Sequence, residues 1–294
     1  MKRLPALVMT AGLLLAQQPV FRVDVKLVRV LATVKDASGQ PVGGLERGEF
    51  TVFDSGVKQD IAVFERHTEQ PLSVTLLVDN SGSTGRELPY EIESVSRFLR
   101  AFFREGNPKD AISLYSFTHD VNLLSNFTRN QGRLEAPLKQ LRADAGTSMY
   151  DAIWFGARAL ADREGRHVLI LVTDGGDTTS AKNFQDALRA AHAADAVIYS
   201  ILVVPVPNDP GRNVGGENAL TTFSQSTGGR VFAPSVGPAL DAAFQEILRD
   251  LRTQYMIGYY PKNLPPSTSK FREIKVQIQR PNLRVSTRSG YYGD

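Results

Sequence analysis

A chain of 294 residues, 42 % of them hydrophobic, is long enough to bury the core of one large domain or two smaller ones. Its 34 lysines and arginines nearly balance 31 acidic residues, and a net charge of +3 gives no reason to expect a nucleic acid or an anionic membrane as the partner. Cysteine is absent, which excludes disulfides, thiolate metal sites, a cysteine nucleophile and a lipidated cysteine anchor.

The first sixteen residues have the pattern of a secretory signal peptide. Lys2 and Arg3 precede an apolar run that extends to Leu15, and the small residue Ala16 follows it. Signal peptides are usually cleaved after an A-x-A pattern of small residues, from which Leu14 departs. The sequence therefore predicts export but does not fix the cleavage point. A buried N-terminal helix is the alternative, which the two positive charges disfavour. No later apolar run reaches the ~20 residues of a membrane span. We therefore expect an exported protein, periplasmic or secreted.

Residues 17–69 have the short alternating pattern of an all-β unit. Residues 21–27 alternate apolar and charged side chains, which is typical of a half-buried strand. Residues 50–53 and 61–64 flank a turn sequence at residues 54–56, which predicts a hairpin.

Residues 70–253 alternate buried strands with amphipathic helices. Four near-continuous apolar runs are typical of strands buried on both faces of a parallel sheet: residues 73–78, 111–117, 167–173 and 196–202. Between and after them, apolar residues recur at helical spacings: Ile92, Val95, Phe98, Leu99, Phe102 and Phe103, then Leu240, Phe244, Ile247, Leu248 and Leu251. This alternation predicts a doubly wound α/β domain with a mainly parallel sheet.

Residues 254–294 return to a β pattern, with strands predicted at 255–260, 271–279 and 283–291. Three strands are too few to bury a face with confidence on their own. Because insertion of a domain into a loop is well tolerated, we expect these strands to complete the N-terminal unit as a sandwich, with the α/β domain inserted between. Two separate β units that flank the α/β domain are the alternative.

Polar residues follow the buried strands of the α/β domain. Asp79, Ser81 and Ser83 lie where the first strand ends, the edge at which open α/β sheets bind ligands. Thr147 precedes a predicted helix and Asp174 follows another buried strand, so both should reach the same edge. Serines after a strand often do no more than turn the chain or cap a helix. Polar residues on three loops at the same edge of the sheet favour a working site instead.

The order D-x-S-x-S, then a threonine loop, then T-D-G resembles the metal-ion-dependent adhesion site of von Willebrand factor A and integrin inserted domains, over about residues 71–252. The resemblance implies a Rossmann-like fold and one divalent cation, Mg²⁺ with Mn²⁺ and Ca²⁺ as alternatives. The implied ligands are Asp79, Ser81, Ser83, Thr147 and Asp174. Their hydroxyl and carboxylate oxygens suit Mg²⁺, which prefers six hard oxygen ligands. The whole chain also resembles exported acidobacterial proteins related to von Willebrand factor A, which implies an architecture rather than an activity.

Residues beside these loops are predicted to rim the cation and to shape specificity: Thr84, Arg86, Ser148, Met149, Gly176 and Asp177. The alternative interpretation is that they are ordinary loop residues, with Asp177 as a helix or turn cap. The loop at residues 205–216 should lie at the same edge, as a recognition loop or a surface excursion.

These features predict a binding protein and not an enzyme. The expected role is adhesion or assembly, in which the bound cation coordinates an Asp or Glu of a protein partner. A metal-assisted hydrolase is the main alternative, but the four histidines, His67, His119, His167 and His192, all lie outside the three loops. A structural envelope-assembly protein with an incidental metal site is the other alternative. The sequence sets no expectation for the oligomeric state.

Overall fold

The computed structural model describes residues 26–66, 70–85, 87–203, 213–234, 237–266 and 269–293. The predicted signal peptide, Arg86 and residues 205–212 of the proposed recognition loop lie outside this range, and so do residues 21–25 of the first predicted strand. Within it, no helix is both long enough and apolar enough to cross a bilayer.

The chain alternates between strands and helices in its middle and is β-rich at both ends. The strands are β1 Val28–Lys35, β2 Phe50–Asp54, β3 Val57–Gln59, β4 Ile61–Arg66, β5 Leu72–Asp79, β6 Ala111–Phe117, β7 Val121–Thr128, β8 Arg166–Thr173, β9 Ala196–Leu202, β10 Val231–Phe232, β11 Tyr255–Tyr259, β12 Phe271–Ile278, β13 Arg284–Ser286 and β14 Gly290–Tyr292. The helices are α1 Leu88–Glu105, α2 Gln131–Leu138, α3 Met149–Ala161, α4 Phe184–Ala193, α5 Val214–Thr227 and α6 Pro238–Thr253.

Six strands form one sheet in the order β10-β9-β8-β5-β6-β7. All neighbours in it run parallel except β6 and β7, which are antiparallel. The apolar side chains of α1, α2 and α6 cover one face, and those of α3, α4 and α5 cover the other. Because both faces are covered, every residue of β5, β8 and β9 is buried, as the continuous apolar runs predict. The predicted doubly wound, mainly parallel α/β fold is confirmed.

Two four-stranded antiparallel sheets flank this domain, in the orders β13-β1-β11-β4 and β14-β12-β2-β3. Each sheet combines strands from before and after the α/β domain: β1 pairs with β11 and β13, and β2 pairs with β12. Apolar side chains from both sheets share one core, which includes Val30, Val52, Ile257 and Ile274.

The hairpin predicted between residues 50–53 and 61–64 is wrong in its second strand. The partner of β2 is the three-residue strand β3, while β4 pairs with β11 in the other sheet. The chain therefore crosses between sheets after Gln59, which the alternating pattern of β4 does not reveal.

A buried carboxylate joins the two flanking sheets. Asp54 at the end of β2 is fully buried, and its Oδ2 accepts hydrogen bonds from the hydroxyls of Tyr259, at 2.9 Å, and Tyr291, at 2.8 Å. Burial and the neighbouring Asp54 both raise the pKa of the two tyrosines, so their hydroxyls keep the protons that they donate. Strands β2, β11 and β14 are thus fixed to one another through a single side chain.

Candidate metal centre

The candidate site lies where the strand order of the central sheet reverses. After β5 the chain forms β6 on one side, and later it returns to form β8 on the other side of β5. Asp79 is the last residue of β5, and Asp174 directly follows the last residue of β8. Open α/β sheets bind ligands in the crevice at such a point, outside the carboxyl ends of the strands.

Asp79 is fully buried at this end of β5. Its Oδ2 accepts a 2.6 Å hydrogen bond from the hydroxyl of Thr173, and its Oδ1 accepts one of 2.8 Å from the backbone N–H of Ser81. Burial raises the pKa of Asp79 to about 6; these hydrogen bonds lower it, and the nearby carboxylate of Asp174 raises it. Among the described residues Asp79 has no cationic partner, so its charge is uncompensated.

The loop after Asp79 places two hydroxyls side by side. A short 3₁₀ turn at Gly82–Thr84 brings the Oγ atoms of Ser81 and Ser83 to 3.1 Å from each other. Thr84 turns inward, and its hydroxyl donates to the carbonyl oxygens of Ser81 and Asp79, at 2.9 and 3.2 Å. The buried Thr84 therefore fixes the loop that carries both serines.

The threonine loop is bound directly to the loop that follows β8. The backbone N–H of Thr147 donates to the hydroxyl of Thr178 at 3.0 Å, and the carbonyl of Thr147 accepts from the backbone N–H of Thr178 at 2.8 Å. The hydroxyl of Ser148 donates to the carbonyl of His119 at 2.6 Å. None of these bonds uses the side-chain hydroxyl of Thr147, which leaves that oxygen available to a ligand.

The structure brings the five predicted ligands to one edge of the sheet but buries part of the predicted rim. Thr84, Ser148 and Met149 are at most 2 % exposed, so in this conformation they hold the loops and do not face a partner. Asp177 accepts hydrogen bonds from the backbone N–H of Tyr150, at 3.0 Å, and the hydroxyl of Ser180, at 2.6 Å, which agrees with the alternative interpretation as a cap. Gly176 is partly exposed, and its N–H donates to Asp174.

The sequence interpretation missed two residues of this site. Thr173, which holds Asp79, was assigned only to the strand, although it is the first letter of the T-D-G sequence. Glu91 is buried in the first turn of α1, and its pKa is raised well above the usual value by burial and by the carboxylates of Asp79, Glu87 and Asp174. A signal was present, because Glu91 precedes Val95 by one helical turn on the apolar face of α1.

The donor set fits a hard divalent cation. The five predicted ligands offer oxygen atoms and neither nitrogen nor sulfur, and the carboxylates of Asp79 and Asp174 repel each other in the absence of a positive charge. Among the described residues, no group of three or more His, Asp or Glu side chains is placed to hold a metal. A cation at this edge would therefore depend on hydroxyl oxygens as well as on carboxylates.

Gly216 positions the loop that carries Asp174. It is buried near the start of α5, and a Cβ added to it would overlap the carbonyl oxygen of Gly175. We expect Gly216→Ala to displace residues 174–176 and to weaken magnesium binding by about ten-fold, as measured by calorimetric titration. The matched control is Gly215→Ala, because Gly215 is exposed and its added Cβ would lie in ordinary contact with Oδ1 of Asn213, at 3.5 Å. Equal magnesium affinities in the two variants would contradict the prediction.

Fold and site together define an open, doubly wound α/β domain with an oxygen-rich crevice at its topological switch point. Residues 74–176 match the family model of the von Willebrand factor type A domain, a range that includes all three loops of the site. Residues 74–176 are therefore similar to a von Willebrand factor type A domain, as the sequence resemblance predicts. No curated protein matches the chain.

Several solved structures are similar to this chain. The vWF domain of the type V pili tip protein Mfa5 from Porphyromonas gingivalis is 17 % identical, with 60 % of this chain and 94 % of that chain covered and a TM-score of 0.48. The conserved hypothetical protein BatB from Bacteroides thetaiotaomicron is 18 % identical, with 62 % and 100 % covered and a TM-score of 0.48. The pilus adhesin SpaC from Lactobacillus rhamnosus GG is 11 % identical, with 89 % and 48 % covered and a TM-score of 0.51. The likeness to SpaC shows a shared fold.

Proposed function

We propose that this protein is an exported binding module that holds one divalent cation in the crevice and, through it, an acidic side chain of a protein partner. The observation that carries the proposal is the buried carboxylate of Asp79. It is fixed by Thr173 and Ser81, it has no cationic partner among the described residues, and it lies at the ligand-binding edge of the sheet. A charge held in this way is stabilised when a cation binds beside it.

The chain's own side chains would hold the cation as hard oxygen donors: Asp79, Ser81, Ser83, Thr147 and Asp174. A bound Mg²⁺ supplies positive charge and a coordination position for an outside carboxylate. Two of the five ligands carry a negative charge, which matches the charge of a divalent cation. An Asp or Glu of a partner is favoured over a basic or apolar side chain because a carboxylate offers the hard oxygen that the cation prefers.

Binding is a better proposal than catalysis for these serines. The hydrogen-bond partner of the Ser81 hydroxyl is the hydroxyl of Ser83, so among the described residues neither serine is paired with a base. His167 and His192 lie near the amino end of the sheet, where His167 bonds the carbonyls of Ala194 and Arg163. His119 lies beside the threonine loop, which it contacts through its backbone N–H and carbonyl groups. A role in adhesion or assembly is further supported by the shared fold with SpaC, which is named as a pilus adhesin.

The proposed function predicts that partner binding requires both the cation and an acidic residue of the partner. We expect capture of the partner by the purified protein in Mg²⁺ and loss of capture in excess EDTA. Replacement of the contacting Asp or Glu of the partner by Asn or Gln should have the same effect as EDTA, because it removes the carboxylate that the cation coordinates.

Substitutions in this chain, in place of substitutions in the partner, test the same prediction. Thr147→Ala should weaken capture, because it removes a hydroxyl from the ligand set. Thr222→Ala is the control, since Thr222 is an exposed threonine of α5 whose hydroxyl donates to the carbonyl of Asn218, outside the three loops. Full capture in EDTA would show that the interaction uses another surface.

A further inference from the structure

Glu91 is a buried acid without a partner. It is 0 % exposed, and among the described residues neither of its carboxylate oxygens has a hydrogen-bond partner. Glu93, two residues further along α1, has the usual surroundings of a glutamate: its side chain is 63 % exposed and forms an ion pair with Arg97. Burial of a carboxylate is strongly unfavourable unless the charge is paired or the group is protonated, so Glu91 needs a compensating interaction in order to be ionised.

The surroundings of Glu91 indicate where that interaction is. Helix α1 begins at Leu88, shortly after the loop that carries Ser81 and Ser83, and Glu91 belongs to its first turn. Apart from burial, the carboxylates of Asp79, Glu87 and Asp174 raise the pKa of Glu91. Two of these three belong to the predicted ligand set. The orphaned carboxylate is therefore near enough to the candidate metal centre for the charges of two predicted ligands to act on it.

Among the described residues, neither an ion pair nor the helix dipole accounts for the burial of Glu91. An ion pair would place a lysine or arginine against it, and the described residues provide none. The positive end of the α1 dipole favours an acid in the first turn, but this effect compensates only a small part of the cost of burying a carboxylate. A cation in the neighbouring site would compensate far more, because it interacts with the charge through a poorly screened interior.

We propose that Glu91 is a positioning residue of the metal centre, which supplies negative charge from outside the ligand set and raises the affinity of the site for a divalent cation. The inference rests on the proposed function, since it requires a cation in the crevice. It makes the site more negative than its five ligands alone, which favours divalent over monovalent cations.

Glu91→Gln in the full chain tests the proposal, with Glu93→Gln as the matched control on the same helix. We expect Glu91→Gln to reduce Mg²⁺ affinity by about 10- to 100-fold in calorimetric titration, the usual effect of losing a group that supports metal ligands. In EDTA the same variant should melt about 2–4 °C higher than the parent chain, because it no longer has to bury an acid whose ionisation the surroundings disfavour. Glu93→Gln should change neither quantity.

The expected fall in Mg²⁺ affinity together with a rise in melting temperature distinguishes this role from a structural one. Loss of a structural side chain would lower the melting temperature. Glu91→Asp keeps the charge and should retain more Mg²⁺ affinity than Glu91→Gln. An unchanged Mg²⁺ affinity in folded Glu91→Gln, or a Glu91→Gln chain that fails to fold, would overturn the inference while the parent chain still binds Mg²⁺. Absence of Mg²⁺ binding by the parent chain itself would instead overturn the proposed function.

Discussion

Asp79→Asn is expected to abolish magnesium binding and to leave the metal-free protein at least as stable as the parent chain. The loss of binding should exceed about 100-fold, because the substitution removes one of two ligand carboxylates and its charge. Asparagine can keep one native hydrogen bond of Asp79 and replace the other by a bond in the reverse direction. Its oxygen can accept from the N–H of Ser81, and its amide can donate to the hydroxyl of Thr173, since a hydroxyl both donates and accepts.

The stability of the metal-free variant follows from the pKa of Asp79. Burial raises this pKa from 3.8 to about 6, so without metal the carboxylate reduces folding stability as the pH rises from about 4 through 6. At neutral pH this loss amounts to about 3 kcal/mol, and Asp79→Asn removes it. The expected measurements are calorimetric titration with Mg²⁺ and thermal melting in EDTA at pH 7.

Asp110→Asn is the reciprocal control for Asp79→Asn. Asp110 is also buried, but it precedes β6 at the opposite edge of the sheet, and it accepts from the backbone N–H groups of Leu72, at 2.8 Å, and Asn107, at 2.7 Å. Burial raises the pKa of Asp110 as it raises that of Asp79, but asparagine can accept only one of these two bonds, so this variant should gain no stability and should bind Mg²⁺ normally. Unchanged Mg²⁺ affinity in folded Asp79→Asn would contradict the assignment of the metal centre.

The parallel strands of the central sheet were predictable because both of their faces are buried. Strands β6 and β9 have the predicted limits. Strand β5 is one residue longer than predicted at each end, and β8 is one residue longer at its start. Strand β7 was missed for the opposite reason. It lies at the edge of the sheet and no residue in it is buried, so its sequence has neither a continuous apolar run nor a regular alternation.

The candidate ligands were predictable because each follows a strand or precedes a helix, and the parallel topology carries such positions to one edge. Their role as metal ligands stays a prediction. The surroundings of the site were harder to predict, because exposure depends on contacts between distant segments. Ser148 and Met149 are buried by α3 and its neighbours, and the burial of Glu91 without a partner follows from the packing of α1 onto the sheet. A sequence motif does not show which of its neighbouring side chains are buried by distant segments of the chain.

Deletion of residues 254–294 is expected to make the remaining chain aggregate, whereas a fragment of residues 70–253 should fold and bind Mg²⁺. Strand β1 lies between β11 and β13, and β2 lies between β12 and β3, so the deletion removes both neighbours of β1 and one neighbour of β2. It also removes buried side chains such as Tyr255, Ile257 and Ile274 from their shared core. Each contributes about 1.5–3 kcal/mol, so the total loss is comparable to the roughly 5–15 kcal/mol that stabilises a typical domain.

The shorter fragment keeps what the metal centre requires. The apolar layers on both faces of the six-stranded sheet consist almost entirely of residues between 70 and 253, with Leu31 of β1 as a partly buried addition. Size-exclusion chromatography, circular dichroism and Mg²⁺ titration of the 17–253 and 70–253 fragments should therefore give opposite results. A soluble, monomeric 17–253 fragment with unchanged β content would show that the N-terminal strands fold without β11 to β14. Their pairing with the C-terminal strands would then be an association of separately stable units, and the α/β domain would be flanked by them and not inserted into one unit.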